Sequence, residues 1–378
     1  MIEYVGVNDY QIDLFEGQYS VKKGMSYNSY VLVDNKIAVM DTVDIHFAEE
    51  WLAKIEAVLQ GKTPDYLVVL HMEPDHSASL GRFLNRYPDT TVVGNAKTFP
   101  MICQFFPGLQ IKQTLQVNER GTLSLGHYQL QFVFAPMVHW PEVMMAYETT
   151  TKSLFSADAF GKFGALDAEE DWKKEARRYY IGIVGKYGSA VQALFKKIAG
   201  LELQTIYPLH GPVLKDNLGD YIKLYQTWSS YQPETEGVCI AYASIYGNTK
   251  KGVEALAQSL GDTPYEIFDL ARCDMAEAIS KAFQYSKLVI ASPTYNTGVF
   301  PPVETFLHGL TERNYQNRTI GIIENGSWLP LAKKYITNYF ANSKNITFLE
   351  ESVTIKSGLN SEALRQIEAL SRRLREKA

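Results

Sequence analysis

Cysteine is scarce: Cys103, Cys239 and Cys273 are the only three in 378 residues, widely separated and without a C-x-x-C pair. An odd count with no framework spacing suggests reduced thiols in a reducing compartment. It also argues against a fused iron-sulfur or rubredoxin-type module, which needs several cysteines at close spacing. Cys103 and Cys239 lie among apolar neighbours and read as packing residues. No apolar run approaches membrane-spanning length, and the N-terminus lacks a basic-then-apolar signal, so a soluble, cytoplasmic chain is expected. Positive charge is not in excess either. With 37 Lys and Arg against 42 Asp and Glu, the net charge of -5 argues against a general nucleic-acid binder, whose phosphate contacts need a basic face. The Walker lysine and the G-x-G-x-x-G fingerprint are missing as well, so neither a nucleoside triphosphate nor a nicotinamide dinucleotide is indicated.

Histidine is limited to 7 residues, which makes one cluster informative. The apolar run Leu67-Val68-Val69-Leu70 suits a buried strand and stops at His71-Met72-Glu73-Pro74-Asp75-His76. Pro74 prevents continuation as a regular strand or helix interior, which predicts a ligand loop at a strand's end. Two imidazoles and two carboxylates so close together would repel or leave unpaired charge unless a cation sat among them. The alternative is a solvated polar loop with two incidental histidines. Three further apolar runs shift the balance towards a metal. Residues 132–135 lead to His139, 153–156 to Asp158, and 205–207 to His210. Four strand ends that each approach a candidate ligand are what a sheet converging on one cleft produces.

The order H-x-E-x-D-H, a distant His, an Asp and a last His resembles the metallo-β-lactamase superfamily. Glu73, where the hydrolases of that superfamily usually have a second histidine, makes the chain look like the flavodiiron proteins. The wording around Gly24-Met25-Ser26-Tyr27-Asn28-Ser29-Tyr30, His139-Trp140-Pro141-Glu142 and Asp158-Ala159-Phe160-Gly161 is similar too.

A chain of 378 residues, 46% hydrophobic and 21% charged, is expected to form two ordinary globular domains. The first, residues 1–232, mixes strands and helices as an α/β sandwich with ligands along one sheet edge. The polar stretch 231–237 holds Pro233 and Gly237 and reads as a linker. In residues 237–378, five strands each followed by a helix predict a doubly wound parallel sheet, with strands at 238–243, 265–270, 288–292, 319–324 and 346–355.

Ser244-Ile245-Tyr246-Gly247-Asn248-Thr249 lies between the first strand and first helix of that sheet, where a phosphate meets free amides and the positive helix end. It resembles the flavodoxin phosphate loop for FMN. An ordinary strand-to-helix turn is the plain alternative. Ser292-Pro293-Thr294-Tyr295-Asn296 and Asn325-Gly326-Ser327-Trp328 follow later strands and reach the same carboxyl edge. Tyr295 and Trp328 offer flat faces to an isoalloxazine ring; core filler is the plain alternative for either aromatic with 24 tyrosines present, but three loops at one edge favour flavin.

The resemblance thus covers nearly the whole chain: a metallo-β-lactamase-like αβ/βα sandwich, then a flavodoxin-like doubly wound sheet. Carried over residue by residue, it implies that His71, Glu73 and His139 hold one iron, Asp75 and His210 the other, and Asp158 bridges them. His76 matches a position that is not a ligand in every member. His46, His127 and His308 lack a matching context and read as structural or surface groups. The resemblance further implies reduction of dioxygen to water, nitric oxide to nitrous oxide, or both, with FMN refilling the irons. It implies an external electron donor such as a rubredoxin, and a head-to-tail homodimer or a dimer of dimers. The runner-up is a zinc hydrolase of the metallo-β-lactamase type joined to a flavodoxin-like domain, and a third reading is an electron carrier whose first domain only binds a partner.

Overall fold

The computed structural model describes residues 1–376 and divides into two compact units, Met1–Tyr225 and Gln226–Ala378. The stretch 231–237, expected as a linker, lies in the second unit, and its end already belongs to the strand Thr235–Tyr242. The reason is local hydrogen bonding. Arg318 donates through Nη1 to the Tyr231 carbonyl at 2.6 Å, and Asn317 donates through Nδ2 to the carbonyls of Ser230 and Tyr231, both at 3.3 Å.

The first unit is built on two sheets. One runs in the order Ile2–Tyr4, Tyr30–Leu32, Ala38–Met40, Tyr66–Val68, Thr91–Gly94 and Gln113–Gln116. The other runs Thr122–Ser124, Gln129–Phe134, Met144–Glu148, Ser153–Phe155 and Thr205–Tyr207. Their faces meet through Tyr30, whose ring lies 5.7 Å from Phe155 and 4.9 Å from Tyr207. The helix Ala48–Leu59 buries Trp51, Leu52, Ile55 and Leu59, one stripe at helical spacing, and Trp51 packs on Phe83 of the helix Leu80–Arg86 at 5.5 Å. The segment 172–198 is helical and includes the π-helix Tyr180–Val184.

The second unit is a parallel sheet in the order Tyr265–Asp269, Thr235–Tyr242, Tyr285–Tyr295, Arg318–Asn325 and Ile346–Phe348, with Val353–Ile355 pairing further along Arg318–Asn325. Strand order therefore reverses beside Thr235–Tyr242, the topological switch point where doubly wound sheets bind ligands. Its helices start in different ways: Asp274 caps Met275–Gln284 and Asn360 caps Ser361–Arg375, whereas Asn248–Ser259 has no side-chain cap.

Four local expectations are corrected. The strand before His71 is Tyr66–Val68, with Val69 and Leu70 beyond its end. Pro74 opens the short helix Pro74–Ser77 rather than a loop, because proline is favourable at a first helical position, where no amide donor is needed. The strand at 288–292 continues to Tyr295 and pairs back with Gly298–Val299, so part of the expected loop 292–296 is strand. Cys239 is buried, but Cys103 is exposed, since the helix Thr98–Phe105 buries Thr98 and Ile102 instead. Among the described residues, no helix is long and apolar enough to cross a membrane.

Arg318 is 3% exposed and, among the described residues, donates only to backbone carbonyls, those of Tyr285 at 2.8 Å, Phe283, Gln316 and Asn317 besides Tyr231. Arg318→Ala strands these acceptors and is expected to destabilise the protein by about 3 kcal/mol, read as a lower urea midpoint of the second unit.

Candidate functional site

Four strand ends and one short helix bring seven side chains of the first unit together. His71, Glu73, His139 and Asp158 form one group and Asp75, His76 and His210 another, the candidate ligand atoms of each group lying within 4.8 Å of one another. His71 and Glu73 follow the strand Tyr66–Val68, and Asp75 and His76 sit on Pro74–Ser77. His139, Asp158 and His210 follow the strands Gln129–Phe134, Ser153–Phe155 and Thr205–Tyr207.

Asp158, fully buried, spans both groups. Its Oδ2 lies 3.0 Å from Nε2 of His139 and 3.3 Å from Nε2 of His71, while Oδ1 lies 3.5 Å from Nε2 of His76 and 3.6 Å from Nε2 of His210. Glu73 Oε2 is 3.0 Å from His139 Nε2 and 3.2 Å from His71 Nε2. Asp75 Oδ2 is 3.2 Å from both His76 Nε2 and His210 Nε2, and those two nitrogens are 2.9 Å apart. Despite this proximity, both carboxylate oxygens of Asp75 and of Asp158 are buried without a hydrogen-bond partner. Short distances without hydrogen-bond geometry mean that acceptors and ring nitrogens converge on common points, the arrangement that suits cations. Mixed imidazole and carboxylate donors suit iron or another first-row metal better than they suit calcium or magnesium.

The electrostatics agree. Burial alone would discharge the imidazoles, but Asp158, Glu142 and Glu73 outweigh it and hold His71 well above its ordinary value. Burial also opposes charge on His76 and His139, yet neighbouring carboxylates raise them to about 10 and about 9. Asp158 is driven well below the usual carboxylate range: burial opposes this, and the surrounding imidazoles overcome it. Without a metal, protons on the histidines are the balancing charge.

Three supporting residues were not anticipated as functional. His71 Nδ1 faces Glu142 Oε1 at 2.8 Å, and the same oxygen accepts the Met72 amide at 2.8 Å. His210 Nδ1 donates to the Ser26 carbonyl at 2.7 Å, which leaves Nε2 for a metal. Asp41 Oδ1 accepts the amides of Leu70 at 2.7 Å and His71 at 3.2 Å, fixing the turn that delivers the cluster. Ser26 and Glu142 lie in the stretches 24–30 and 139–142 already noted for their wording, whereas nothing marked Asp41. Gly161 allows the close approach here: a Cβ on it would lie 3.3 Å from the Tyr179 ring and 3.4 Å from His210 Cβ. The Tyr179 hydroxyl is buried, without a partner, in the field of Asp158, Glu73 and Asp75. His46 and His127 belong to neither group and are exposed, and His308 is exposed in the second unit.

In the second unit a cavity of about 480 Å³ opens at the carboxyl edge of the sheet. Of the loop 244–249, all but Gly247 line it; of 292–296, all but Ser292; and Asn325, Gly326, Ser327 and Trp328 all do. Gly247, at φ 86°, turns the chain into the helix and donates its amide to Ser244 Oγ at 3.1 Å. Ser292 is buried and accepts the Phe300 amide at 3.2 Å. Thr297, Leu329 and Ser357 also line the cavity and were not anticipated. The uncapped helix Asn248–Ser259 leaves its first amides open to an anion. Tyr246 and Trp328 are each 91% exposed, flat apolar faces that a planar ring could cover. An anion cradle beside aromatic faces fits a flavin mononucleotide.

Residues 25–211 match the model of the ODP family beta lactamases, and residues 239–354 that of a flavodoxin domain. The chain is 28% identical to a nitric oxide reductase of Moorella thermoacetica over 99% of its own length and 96% of the relative's. It is 29% identical to an anaerobic nitric oxide reductase flavorubredoxin of Pectobacterium atrosepticum over 86% of this chain and 67% of that one. The crystal structure of the flavodiiron protein from Giardia intestinalis superposes with a TM-score of 0.90 at 26% identity, covering 99% of this chain and 95% of the other.

Two outcomes are expected. Glu142→Ala removes the partner of His71 and should weaken metal binding by about 10–100-fold in a metal titration. In metal-free protein, His139 and His76 carry raised values, so the stability they contribute is complete below their unfolded value of about 6.5 and is lost as pH rises through about 9 and about 10. Metal-loaded protein holds these imidazoles neutral and should lack that loss, which thermal melts with and without chelator across the range will show.

Proposed function

We propose that this chain is a flavodiiron protein, with a beta-lactamase-type domain followed by a flavodoxin domain, and that it reduces dioxygen to water, nitric oxide to nitrous oxide, or both. One observation carries this reading: a single buried carboxylate, Asp158, directs one oxygen to each of two His and carboxylate groups. We assign His71, Glu73 and His139 to one iron, Asp75, His76 and His210 to the other, and Asp158 to both. His76 is included because its Nε2 shares Asp75 Oδ2 and Asp158 Oδ1 with His210. The loop from Ser244 to Thr249 would bind the FMN phosphate, with the ring against Tyr246, Tyr295 and Trp328. The matches at 25–211 and 239–354 support domain limits at residues 1–232 and 237–378, with the chain from Gln226 onward packing in the second compact unit.

When bound, two irons and FMN supply the electrons and the open coordination positions that reduction of a diatomic gas requires. The protein's own contribution is positional. Glu142 and the Ser26 carbonyl fix the two imidazoles that they contact, so each ring presents Nε2. Phe15 and Tyr27 pack edge-on to His210, at 5.4 and 6.1 Å, and keep water from that side. The Tyr179 hydroxyl is buried without a hydrogen-bond partner among the described residues, in the field of Asp158, Glu73 and Asp75, and so keeps a proton donor beside the residues that would hold the irons. A zinc hydrolase is disfavoured by Glu73 and by a flavin pocket that hydrolysis does not use. The electron donor is proposed to be a separate redox protein such as a rubredoxin, since the sequence carries no nicotinamide-binding fingerprint. A cytoplasmic head-to-tail homodimer is the proposed working form.

Asp158→Ala is expected to abolish turnover of both gases while FMN remains bound at full occupancy. Anaerobic stopped-flow oxidation of the reduced protein by each gas, with iron and zinc analysis of the same sample, checks this. Unchanged turnover would remove the bridging role, and two zincs with no gas reactivity would remove the reductase reading.

A further inference from the structure

The four imidazoles of the cluster are not equally supported. Nδ1 of His71 faces Glu142 Oε1 at 2.8 Å, and Nδ1 of His210 donates to the Ser26 carbonyl at 2.7 Å. His76 is held through its backbone on the helix Pro74–Ser77: its amide donates to the Glu73 carbonyl at 2.9 Å, and its carbonyl accepts the Thr42 amide and hydroxyl, both at 2.8 Å. His139 has neither kind of support. Its Nδ1 makes no hydrogen bond among the described residues, and it sits in the irregular segment between the strands Gln129–Phe134 and Met144–Glu148. A ligating histidine ordinarily donates its second ring N–H to a fixed partner, so another contact has to orient this ring.

That contact is Trp140. The indole lies T-shaped to His139 at 6.0 Å and 67° and to His71 at 5.3 Å and 85°, and the two imidazoles are themselves 5.1 Å apart at 74°. One flat side chain therefore packs against both imidazoles assigned to the first metal position. It is fixed in turn: the indole stacks on Phe105 at 6.3 Å and 11°, and the Trp140 carbonyl accepts the amides of Met137 at 2.8 Å and Val143 at 3.4 Å. Perpendicular ring contacts prefer one mutual orientation, and a ring packed on two sides cannot turn unless its neighbours move. Tyr27 stands in the same relation to the second group, 6.4 Å from His76 and 6.1 Å from His210, but those two imidazoles have the backbone and hydrogen-bond support that His139 lacks.

We propose that Trp140 is a positioning residue for the first metal position, its indole holding the His139 imidazole in the ligating orientation by ring packing in place of a hydrogen bond. This rests on the diiron reading, so the test separates the two.

The FMN-loaded full chain, prepared without iron, is titrated anaerobically with ferrous ion alone, and the oxidised product is examined by Mössbauer spectroscopy. Wild type is expected to take up two irons. Trp140→Ala removes the indole and keeps the backbone carbonyl; it should weaken one of the two binding steps by about 10-fold and alter one of the two iron signals, with FMN content unchanged. Trp140→Leu, which fills space without a flat ring, should do the same, and Trp140→Phe should restore both readouts. If Trp140→Ala or Trp140→Leu binds two irons like wild type with both signals intact, the positioning role is wrong while the diiron reading stands. If Trp140→Phe fails as badly as Trp140→Leu, ring packing is not what Trp140 provides, and the proposal falls. A wild-type chain that takes up no iron removes both.

Discussion

Three carboxylates and four imidazoles lie buried within two adjoining groups, and the hydrogen bonds among the described residues leave both oxygens of Asp75 and of Asp158 unpaired. Burying unpaired charge costs several kcal/mol per group in a low-dielectric interior, so the cluster is tolerable only with compensating cations. In the absence of metal, protons on the histidines supply part of that compensation, which is why those imidazoles are displaced so far upwards. Two metal ions supply it more completely, because each presents its charge to every ligand at once.

The surrounding fold keeps the ligands in place while that charge is changing. Its means are ordinary hydrogen bonds made by residues that are not themselves ligands. Asn28 Nδ2 donates to the carbonyls of Pro208 and Gly211, both at 2.8 Å, and so clamps the loop that carries His210 from either side. Asn95 Nδ2 donates to the Glu142 carbonyl, linking the support of His71 to the strand Thr91–Gly94. Rings from the segment 172–184 close the cluster from another direction, with Tyr179 5.5 Å from His210. Ligand geometry therefore depends on long-range contacts, and a small shift in any of these loops would misplace a donor atom.

The cavity of the second unit works on a different principle. There the polar groups are mostly backbone amides and hydroxyls, the aromatic faces stand open, and little charge is buried. A strand order that reverses beside Thr235–Tyr242 creates the crevice, and the uncapped helix start supplies the anion preference. Such a site exists in the apo fold at little cost, whereas the cluster of candidate metal ligands is held together against its own electrostatics.

Much of this could be read along the chain because the signals were local. Apolar runs ending at His71, His139, Asp158 and His210 required only short-range pattern, and so did the alternation of strands and helices beyond residue 237. The amino-acid order alone determined two domain types, the candidate ligands and the three loops at the edge of the second sheet. Tertiary structure decided what local pattern cannot encode. It set which oxygen of Asp158 faces which imidazole, and it placed His76 beside His210. It also recruited Asp41 and Glu142, whose partners are residues 30 and 71 positions away in the chain. Hydrogen-bond direction and like-charge proximity arise only when distant segments are packed together, so those roles are absent from any window of sequence, however clearly it names the ligands.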